Sequence, residues 1–557
     1  MQPVLTSAQM REIDQLTMER YGIPSLVLME NAASAVVRVI VSAFSGDVAN
    51  KRALVLCGRG NNGGDGAATA RLLAHAGASV SAILFGNIGD AKGDARTNFD
   101  ALTSLAEGDA ESAASSIRFV QCPNDDDARR AVEEQLSPPP DVIVDGLFGT
   151  GLTRPLDGVY GEVARRINGL REHATANSLV VAIDIPSGLD SDSAELIGAA
   201  IQADITITMT APKRANVLPA ASNYNGRLVV AEIGSPRELI SEARADLFLT
   251  EEADARRWLI ETRYQPDSYK NTHGHALIVA GSRGFTGAAT LSANAAMRAG
   301  AGLVTVATPA SVQALVASHT MPEVMTTSLA ETDRGAVSDE AVDYVLKFSE
   351  RADVIAIGPG LSSEDERTRM FVRRVVEGRR TPVVIDADGL NCLSPWPDQL
   401  RGSSELPIVL TPHPGEMLRL MGTSDKTALH DRVASARQFA TRHEVILLLK
   451  GDRSLIAASD GRVFVNATGN AGLGTAGAGD TLTGVITGFV AQAQAYAPAS
   501  RAKRVSVLET VIAALYVSGL AGDLAARELG MRCMVASDIR EHLSAAICSL
   551  DPCGEQP

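Results

Sequence analysis

Asp480 lies within the stretch Gly469–Phe489, GNAGLGTAGAGDTLTGVITGF. A glycine-rich turn that runs into a helix aims backbone N–H groups, here those of Gly477, Ala478 and Gly479, at an anion, and the helix dipole adds positive potential. An aspartate in the first helical turn then stands where a base can take a hydroxyl proton as phosphoryl transfer begins. The plainer role for Asp480 is helix capping. Lys450 ends the apolar run VILLLK and offers a point charge to phosphates. His413 sits between two prolines in TPHPGE, where an imidazole can reach a ligand. No G-x-x-x-x-G-K-[ST] occurs, so this is not P-loop chemistry. His273 and His275 have no further ligand at metal spacing and read as strand-entry residues. Asp386 and Asp388, in VIDADGLN, read as pocket wall or cap.

The first half carries a different constellation. RALVLCGRGNNGGDGAATARLLAHAG, Arg52–Gly77, reads strand, glycine-rich turn, helix. It contains G-x-G-x-x-G at Gly58, Gly60 and Gly63, but the acidic residue that would close the second strand on a ribose is missing from SVSAILFGN. An ordinary nicotinamide dehydrogenase is therefore poorly supported. Asn61, Asn62 and Asp65 set amide and carboxylate groups beside a helix N-terminus, and consecutive glycines let the backbone turn its N–H groups inward. Such a loop can hold a phosphate together with a hard cation; a mere tight turn is the rival reading. Two further strand ends agree. Asp145 ends one, with the loop Gly149–Pro155 beyond it, and Asp184 ends another, followed by Ser187. Either aspartate alone could be a helix cap.

These residues need elements to position them. Arg52–Cys57, Ser79–Phe85, Asp141–Asp145, Leu179–Asp184, Asp204–Met209 and Arg227–Ile233 are short β-branched runs, apolar on both faces, separated by helical stretches. They predict a doubly wound parallel sheet whose ligands lie beyond the strands' carboxyl ends. A second series, Ala276–Ala280, Leu303–Ala307, Asp353–Ile357, Pro382–Asp386 and Val445–Lys450, predicts a second α/β domain. The charged stretch between them places a boundary near Pro236–Asp246. The two halves share no repeat. Ser137–Pro140 reads as a loop, and the tail after Leu550 as a disordered end.

Length and composition agree. At 557 residues, 45% hydrophobic and 21% charged, the chain suits two or three cored domains. A net charge of -15 argues against nucleic acid, yet leaves backbone phosphate binding open. Six scattered cysteines with no C-x-x-C pair point to a reducing cytoplasm. No apolar run reads as long enough to span a bilayer, and the N-terminus lacks a signal-peptide pattern, so no membrane partner is expected.

Four motifs in order, LTSAQMREIDQLTMERYGIPSLVLMENAA, GRGNNGGDG, DGLFGTGL and IDIPSGLD, resemble the NAD(P)H-hydrate epimerase family over nearly all of residues 1–235. The resemblance implies a Rossmann-like domain that interconverts the R and S epimers of hydrated NADH or NADPH. It implies hydrate contacts from Asn61, Asn62, Gly63, Gly64 and Asp65, from Gly149, Thr150, Gly151, Leu152, Thr153, Arg154 and Pro155, and from Asp184. It also implies potassium held near Asn62, Asp145 and Ser187. Asp184 is the candidate acid/base; holding the substrate hydroxyl is its alternative role. APKRAN, Ala211–Asn216, departs from the family's pattern by lacking a glycine soon after Lys213.

GAGD before a helix resembles the ribokinase-like superfamily. HGHALIVAGSRGFTGAATLSANAAMRAGAGLVTVAT, IGPGLS, VIDADGLN, LTPHPGEMLRL and LLLKGDRSLIA narrow the resemblance to the ADP-dependent NAD(P)H-hydrate dehydratase family over about Leu247–Ser544. It implies hydrate contacts from Ala288, Gly360, His413 and Asp480, with Lys450, Gly451, Asp452, Arg453, Ser454 and Gly479 on the nucleotide. Asn271 and Ala476 depart from the family's usual residues. The expected architecture is an N-terminal Rossmann-like doubly wound domain, residues 1–240, followed by a ribokinase-like α/β domain, residues 247–547. The expected ligands are the hydrate, ADP as co-substrate, magnesium and potassium, in a homo-oligomer. Two rival readings stay open: a ribokinase-like small-molecule kinase with a regulatory N-terminal domain, and a non-catalytic nucleotide sensor.

Overall fold

A computed structural model describes residues 1–109, 116–171, 178–495 and 505–551. Cys553 and the tail read as a disordered end from residue 552 onward lie outside them. The chain divides into two compact units, Gln2–Ala245 and Asp246–Pro557.

In the first unit a short strand β1 (Gln2–Val4) precedes β2 (Arg52–Cys57), β3 (Ser79–Phe85), β4 (Ile117–Cys122), β5 (Val142–Gly146), β6 (Leu179–Ile183), β7 (Ile205–Met209) and β8 (Arg227–Ala231). The strands β2 to β8 form a parallel sheet in the order β4-β3-β2-β5-β6-β7-β8. Both faces are buried, as the sequence predicts. Val55 and Val144 join one apolar cluster, while their strand neighbours Leu54, Leu56 and Ile143 join another. The chain winds outward from β2 in one direction and from β5 in the other. The sheet therefore reverses between β2 and β5, which pair with Cys57 opposite Gly146. The loops that follow these two strands open into the crevice where doubly wound sheets bind ligands. The edge strand β4 was not expected. Only its end residues Ile117 and Cys122 are buried, and Arg118 and Gln121 are exposed, so it lacks the two-faced apolar signature.

The second unit holds β9 (Leu247–Leu249), β10 (His275–Val279), β11 (Leu303–Pro309), β12 (Met325–Leu329), β13 (Val354–Ile357), β14 (Val383–Ile385), β15 (Ile408–Leu410), β16 (Ile446–Leu449), β17 (Leu455–Ala457) and β18 (Val463–Val465). Their order is β9-β18-β17-β16-β15-β14-β13-β10-β11-β12. From β16 to β12 the sheet is parallel; β17 is antiparallel to both β16 and β18. Here the winding reverses between β10 and β13. That hairpin, β12 and the three-residue strand β15 were not read from the sequence, being short or at an edge.

Two helices, Thr286–Arg298 and Ala478–Ala495, cross closely because both carry small residues. A side chain at Gly484 would lie 2.2 Å from the Ser292 carbonyl, and one at Gly488 2.6 Å from the Ala296 carbonyl. Trp258 stacks on Phe489 with ring centroids 4.2 Å apart. Contrary to the sequence expectation, the helices Ser25–Ala43 and Val507–Leu529 are long and apolar enough to cross a membrane by length and composition. Each is packed into a core. Leu28, Ala32, Val36 and Ile40 face the first sheet's cluster, and Val511, Ala514, Val517 and Ala521 belong to the second unit's. Val507–Leu529 is 67% buried and has the composition of a helix in lipid, whereas Ser25–Ala43, 39% buried, packs one apolar face. Among the described residues all five cysteines are free.

Candidate functional site

In the first unit the helix that follows β2 begins at Asn61, with Gly60 at its cap position. Asn61, Asn62, Gly63, Gly64 and Asp65 are therefore the first helical turns, not a loop ahead of them. The glycines serve close approach. A side chain at Gly63 would sit 1.7 Å from the Gly58 carbonyl, and one at Gly58 2.0 Å from that of Leu147. The helix start is thus pressed against the turn after β2, and that turn against the loop after β5.

The Asp145 carboxylate is fully buried at the end of β5. It accepts hydrogen bonds from the Ser187 hydroxyl at 2.6 Å, the Ser187 N–H at 2.8 Å and the Leu147 N–H at 3.3 Å. Burial still pushes it up to about 6, against those three bonds. The Ser187 Oγ also accepts from the Phe148 N–H at 2.9 Å. Beside it, the amide of Asn62 lies 3.2 Å from where a Gly149 side chain would begin, and its Nδ2 is sealed from solvent without a partner. Asn62, Asp145 and Ser187 therefore meet around one polar pocket floor. In the loop Gly149–Pro155 the Leu152 side chain is buried in the apolar cluster, so only its backbone can reach a ligand; Thr153, Arg154 and Pro155 are exposed.

Asp184 follows β6 with φ +66°, a left-handed conformation that a side chain adopts only under constraint. Its Oδ1 accepts from the Lys213 ammonium at 2.6 Å, the Thr208 hydroxyl at 3.0 Å and the Met209 N–H at 3.3 Å. Lys213 is 1% exposed and donates also to Thr208 Oγ1 and the Met209 carbonyl. Sequence reasoning noticed Lys213 only as a marker for a missing glycine. None is needed there: Lys213 caps the short helix Arg214–Val217, its N–H donating to Asn216 Oδ1 at 2.8 Å. Asp14 was missed altogether. Burial pushes it up to about 6, with Lys213 pulling down and Asp184 pushing up, and its Oδ1 is sealed without a partner. Burial, Asp184 and Asp14 together raise Asp65 well above the carboxylate range. Asp184 and Asp14 thus share the Lys213 ammonium, and Asp14 and Asp65 are driven toward the protonated form.

In the second unit the turn at Gly477 has φ +84° and the helix starts at Ala478, which puts Asp480 in the first turn as expected. One expected donor is engaged: the Ala478 N–H reaches the Thr475 carbonyl at 3.4 Å. A side chain at Gly479 would begin 3.3 Å from the Lys450 ammonium, so that charge lies against the helix start. Lys450 donates to Asp386 at 2.8 Å and stands 4.0 Å from Glu416. Burial works to lower its pKa, but the charges of Asp386, Glu416 and Asp480 outweigh it and hold the ammonium protonated. Asp480 is pushed up to about 6 by burial first and by the Asp386 charge second.

Gly451 has φ +148° and Arg453 φ +50°, an irregular turn in which Arg432 donates to the Asp452 carbonyl at 2.8 Å and Ser454 to that of Gly451 at 3.1 Å. His413 caps the helix Pro414–Leu420: its Nδ1 accepts from the Gly415 N–H at 3.0 Å, which leaves the neutral ring's proton on Nε2. The ring is exposed. Gly360 and Ala288 meet at the reversal between β10 and β13, where a Gly360 side chain would begin 3.0 Å from Ala288 Cβ. One turn further on, the Ser292 hydroxyl donates to the Asp480 carbonyl at 3.0 Å. Asp388 starts the helix Asp388–Cys392 and accepts from the Ser362 N–H at 2.9 Å. His275 enters β10 and shares a hydrogen bond with Thr305 at 2.8 Å. Among the described residues no three His, Cys, Asp or Glu side chains form a metal cluster.

Comparison with known proteins gives two family matches: a model described as NAD(P)H-hydrate dehydratase over residues 276–545, and one described as YjeF-related protein N-terminus over residues 25–215. The chain is 40% identical over 558 residues to the bifunctional NAD(P)H-hydrate repair enzyme Nnr of Moorella thermoacetica, covering 98% of this chain and 97% of that protein. The chain belongs to the bifunctional NAD(P)H-hydrate repair enzyme family. A second member, from Salinibacter ruber, is 36% identical over 541 residues, covering 96% of this chain and 94% of its own. Among solved structures, the ADP/ATP-dependent NAD(P)H-hydrate dehydratase of Bacillus subtilis, co-crystallised with ATP and Mg2+, is 28% identical. It covers 55% of this chain and 99% of its own, with a TM-score of 0.45. The family pairs an epimerase-type domain with a dehydratase-type domain; the YjeF-related match falls within Gln2–Ala245 and the dehydratase match within Asp246–Pro557.

Proposed function

We propose that this chain repairs hydrated NADH and NADPH: residues 1–240 interconvert the R and S hydrates, and residues 247–547 use ADP to dehydrate the S hydrate, releasing AMP and phosphate. The observation that carries the reading is the convergence of Lys450, Gly479 and the raised-pKa carboxyl of Asp480 at one helix start. Asp480 takes the proton of the C6 hydroxyl, and the oxygen attacks the β-phosphorus of ADP. AMP leaves. The C6–O bond then breaks with loss of phosphate, driven by the ring nitrogen lone pair, and the iminium so formed loses a proton from C5 to solvent, which restores the dihydronicotinamide. A base with a pKa near 6 is deprotonated at neutral pH yet strong enough to accept a hydroxyl proton as the phosphoryl bond forms. Ala288, Gly360 and His413 hold the hydrate, and the turn Lys450–Ser454 holds the nucleotide. A magnesium ion carried by the ADP phosphates would need at most one or two carboxylates from the protein, and it would supply positive charge at the phosphoryl oxygens.

In the first unit Asp184, anchored by Lys213, passes the proton of the C6 hydroxyl to the ring nitrogen as the C6–N bond opens, and back as that bond re-forms on the other face of C6. The helix start at Asn61–Gly63 and the loop Gly149–Pro155 receive the phosphates of the hydrate, while the Gly64 N–H is engaged by the Gly60 carbonyl at 3.1 Å. The buried Asp145 carboxylate has no cationic side chain among the groups that shift it. With Ser187 and Asn62 it forms an all-oxygen donor set suited to potassium, which would supply positive charge beside the phosphate-binding turn. The protein acts in the cytoplasm as a homo-oligomer, on small molecules and not on nucleic acid; the acidic net charge supports the last point and the free thiols a reducing compartment.

One assay tests the whole. Purified protein is mixed with both hydrate epimers, ADP, potassium and magnesium, and the absorbance of reduced nicotinamide is followed with free phosphate. Complete return of the reduced cofactor with one phosphate released per molecule is expected. A stable phosphorylated product would replace this reading with a kinase.

A further inference from the structure

The buried Asp386 has no part in the reaction as written, yet it sits at its centre. Its Oδ1 accepts from the Lys450 ammonium at 2.8 Å and its Oδ2 from the Thr483 hydroxyl at 2.8 Å. Thr483 is fully buried and lies one turn beyond Asp480 on the same helix face. The Asp386 side chain is 2% exposed. A Gly479 side chain would begin 3.8 Å from its Oδ2, so the carboxylate lies directly under the turn expected to hold phosphate.

The backbone is constrained to put it there. Ala387, the next residue, has φ +49° and ψ −120°, a conformation outside the regions an alanine ordinarily occupies. The Asp386 carbonyl is pinned so closely that a side chain at Gly358 would begin 1.8 Å from it. Strain of this kind persists where the surroundings over-determine it, and it collects at functional sites. A buried ion pair is also a poor device for stability alone, because an apolar pair of the same volume serves as well or better. Strain and a desolvated charge together ask for a functional reason.

We propose that Asp386 is the positioning residue of the phosphoryl-transfer site: one carboxylate holds the Lys450 ammonium at the glycine turn and locks it, through Thr483, to the helix that carries Asp480. The lysine then waits at the phosphate position before nucleotide arrives, and its distance from the base is set by one rigid bridge. The same carboxylate is one of four charged groups that Asp480 faces, with Asp388, Lys450 and Glu416. Of these, Asp386 alone is bonded to both the lysine and the helix. The inference rests on the phosphoryl-transfer reading of this site.

The test uses the full-length protein and two substitutions. Asp386→Asn keeps the shape and removes the charge; Thr483→Val keeps the charge and removes one strut. Asp386→Asn should raise the KM for ADP about tenfold or more, lower kcat, and move the acid limb of the dehydration profile to lower pH by about one unit, since Asp480 loses a like-charged neighbour. Thr483→Val should raise the KM for ADP about threefold, as expected for the loss of one buried hydrogen bond, with the acid limb unmoved. An aspartate serving the fold alone would leave the KM for ADP unchanged in both variants, whatever the limb does. Wild-type KM and an unmoved limb in Asp386→Asn would overturn the proposal. Should that variant fail to fold, an unchanged KM for ADP in Thr483→Val would overturn it instead. If the wild-type protein regenerates no reduced cofactor, the repair reading has failed on its own. ADP binding by calorimetry then decides Asp386, with a tenfold weaker dissociation constant in Asp386→Asn expected and an equal one fatal.

Discussion

Replacing Lys213 by methionine tests the first site's electrostatics most directly, because methionine nearly matches the lysine stem in volume and removes only the charge. In the native unit the ammonium, 1% exposed, makes three hydrogen bonds, to Asp184, Thr208 and the Met209 carbonyl. Taking away one partner of a buried pair costs about 3–5 kcal/mol, since the other charge stays behind. Asp184 is 15% exposed and keeps the Thr208 hydroxyl and the Met209 N–H, so the lower end, about 3 kcal/mol, applies here. For a unit of this size that corresponds to a fall of about 6–12 °C in its own unfolding transition. Function should suffer with it. The strained Asp184 loses the anchor that aims its carboxylate, and Asp14 loses the one positive charge that holds its pKa down. Epimerisation should drop by about 100-fold or more, while dehydration of pure S hydrate by the second unit continues. Calorimetry resolves the unfolding transitions of the full chain, and chiral chromatography of the R hydrate in the absence of ADP gives the epimerisation rate. A transition within about 1 °C of wild type, or wild-type epimerisation, would refute the reasoning.

Dehydration should fall on the acid side with an apparent pKa near 6, because the base must be ionised and burial with Asp386 lifts Asp480 to that value; Asp480→Asn should abolish dehydration and spare epimerisation, and a flat profile down to pH 5 would reject Asp480 as the base. The raised pKa of Asp145 means that the folded protein holds its proton more tightly than the unfolded chain, so its contribution to stability is full at low pH and is lost as pH climbs through about 6. Potassium chloride at pH 8 should therefore raise the first unit's melting temperature above that in choline chloride, and Asp145→Asn should erase the difference; an equal response of the two proteins would remove the cation from this site. Gly63→Ala should unseat the helix start, since its methyl would meet the Gly58 carbonyl at 1.7 Å, and wild-type hydrate affinity in that variant would show the close approach to be dispensable.

Much of this was legible in residue order. The β2 and β5 runs are apolar on both faces because both faces are covered, and a loop after each strand must then open at the sheet's carboxyl edge. Asp145, Asp184, Lys450 and Asp480 stand at strand or helix ends in the chain itself. Edge strands such as β4 were hidden, because a strand at the sheet's edge is only partly covered and carries exposed polar residues such as Arg118 and Gln121. The helices Ser25–Ala43 and Val507–Leu529 show the opposite ambiguity: composition alone does not distinguish burial in a core from burial in lipid.

Sequence alone placed Asp145, Asp184, Lys450 and Asp480 at element ends and showed that glycines would let backbone approach backbone, since both follow from residue type and local spacing; Asp14 and the part played by Lys213 it did not show. Only the tertiary structure decided which charges are neighbours. Lys213 reaches Asp184 from 29 positions away, Lys450 reaches Asp386 from 64, and Asp386 reaches Thr483 from 97. No local pattern encodes such pairs, because they arise where strands distant in the chain end side by side. Burial then fixes their strength: the same carboxylates in water would have ordinary proton affinities and no reason to hold a lysine in place.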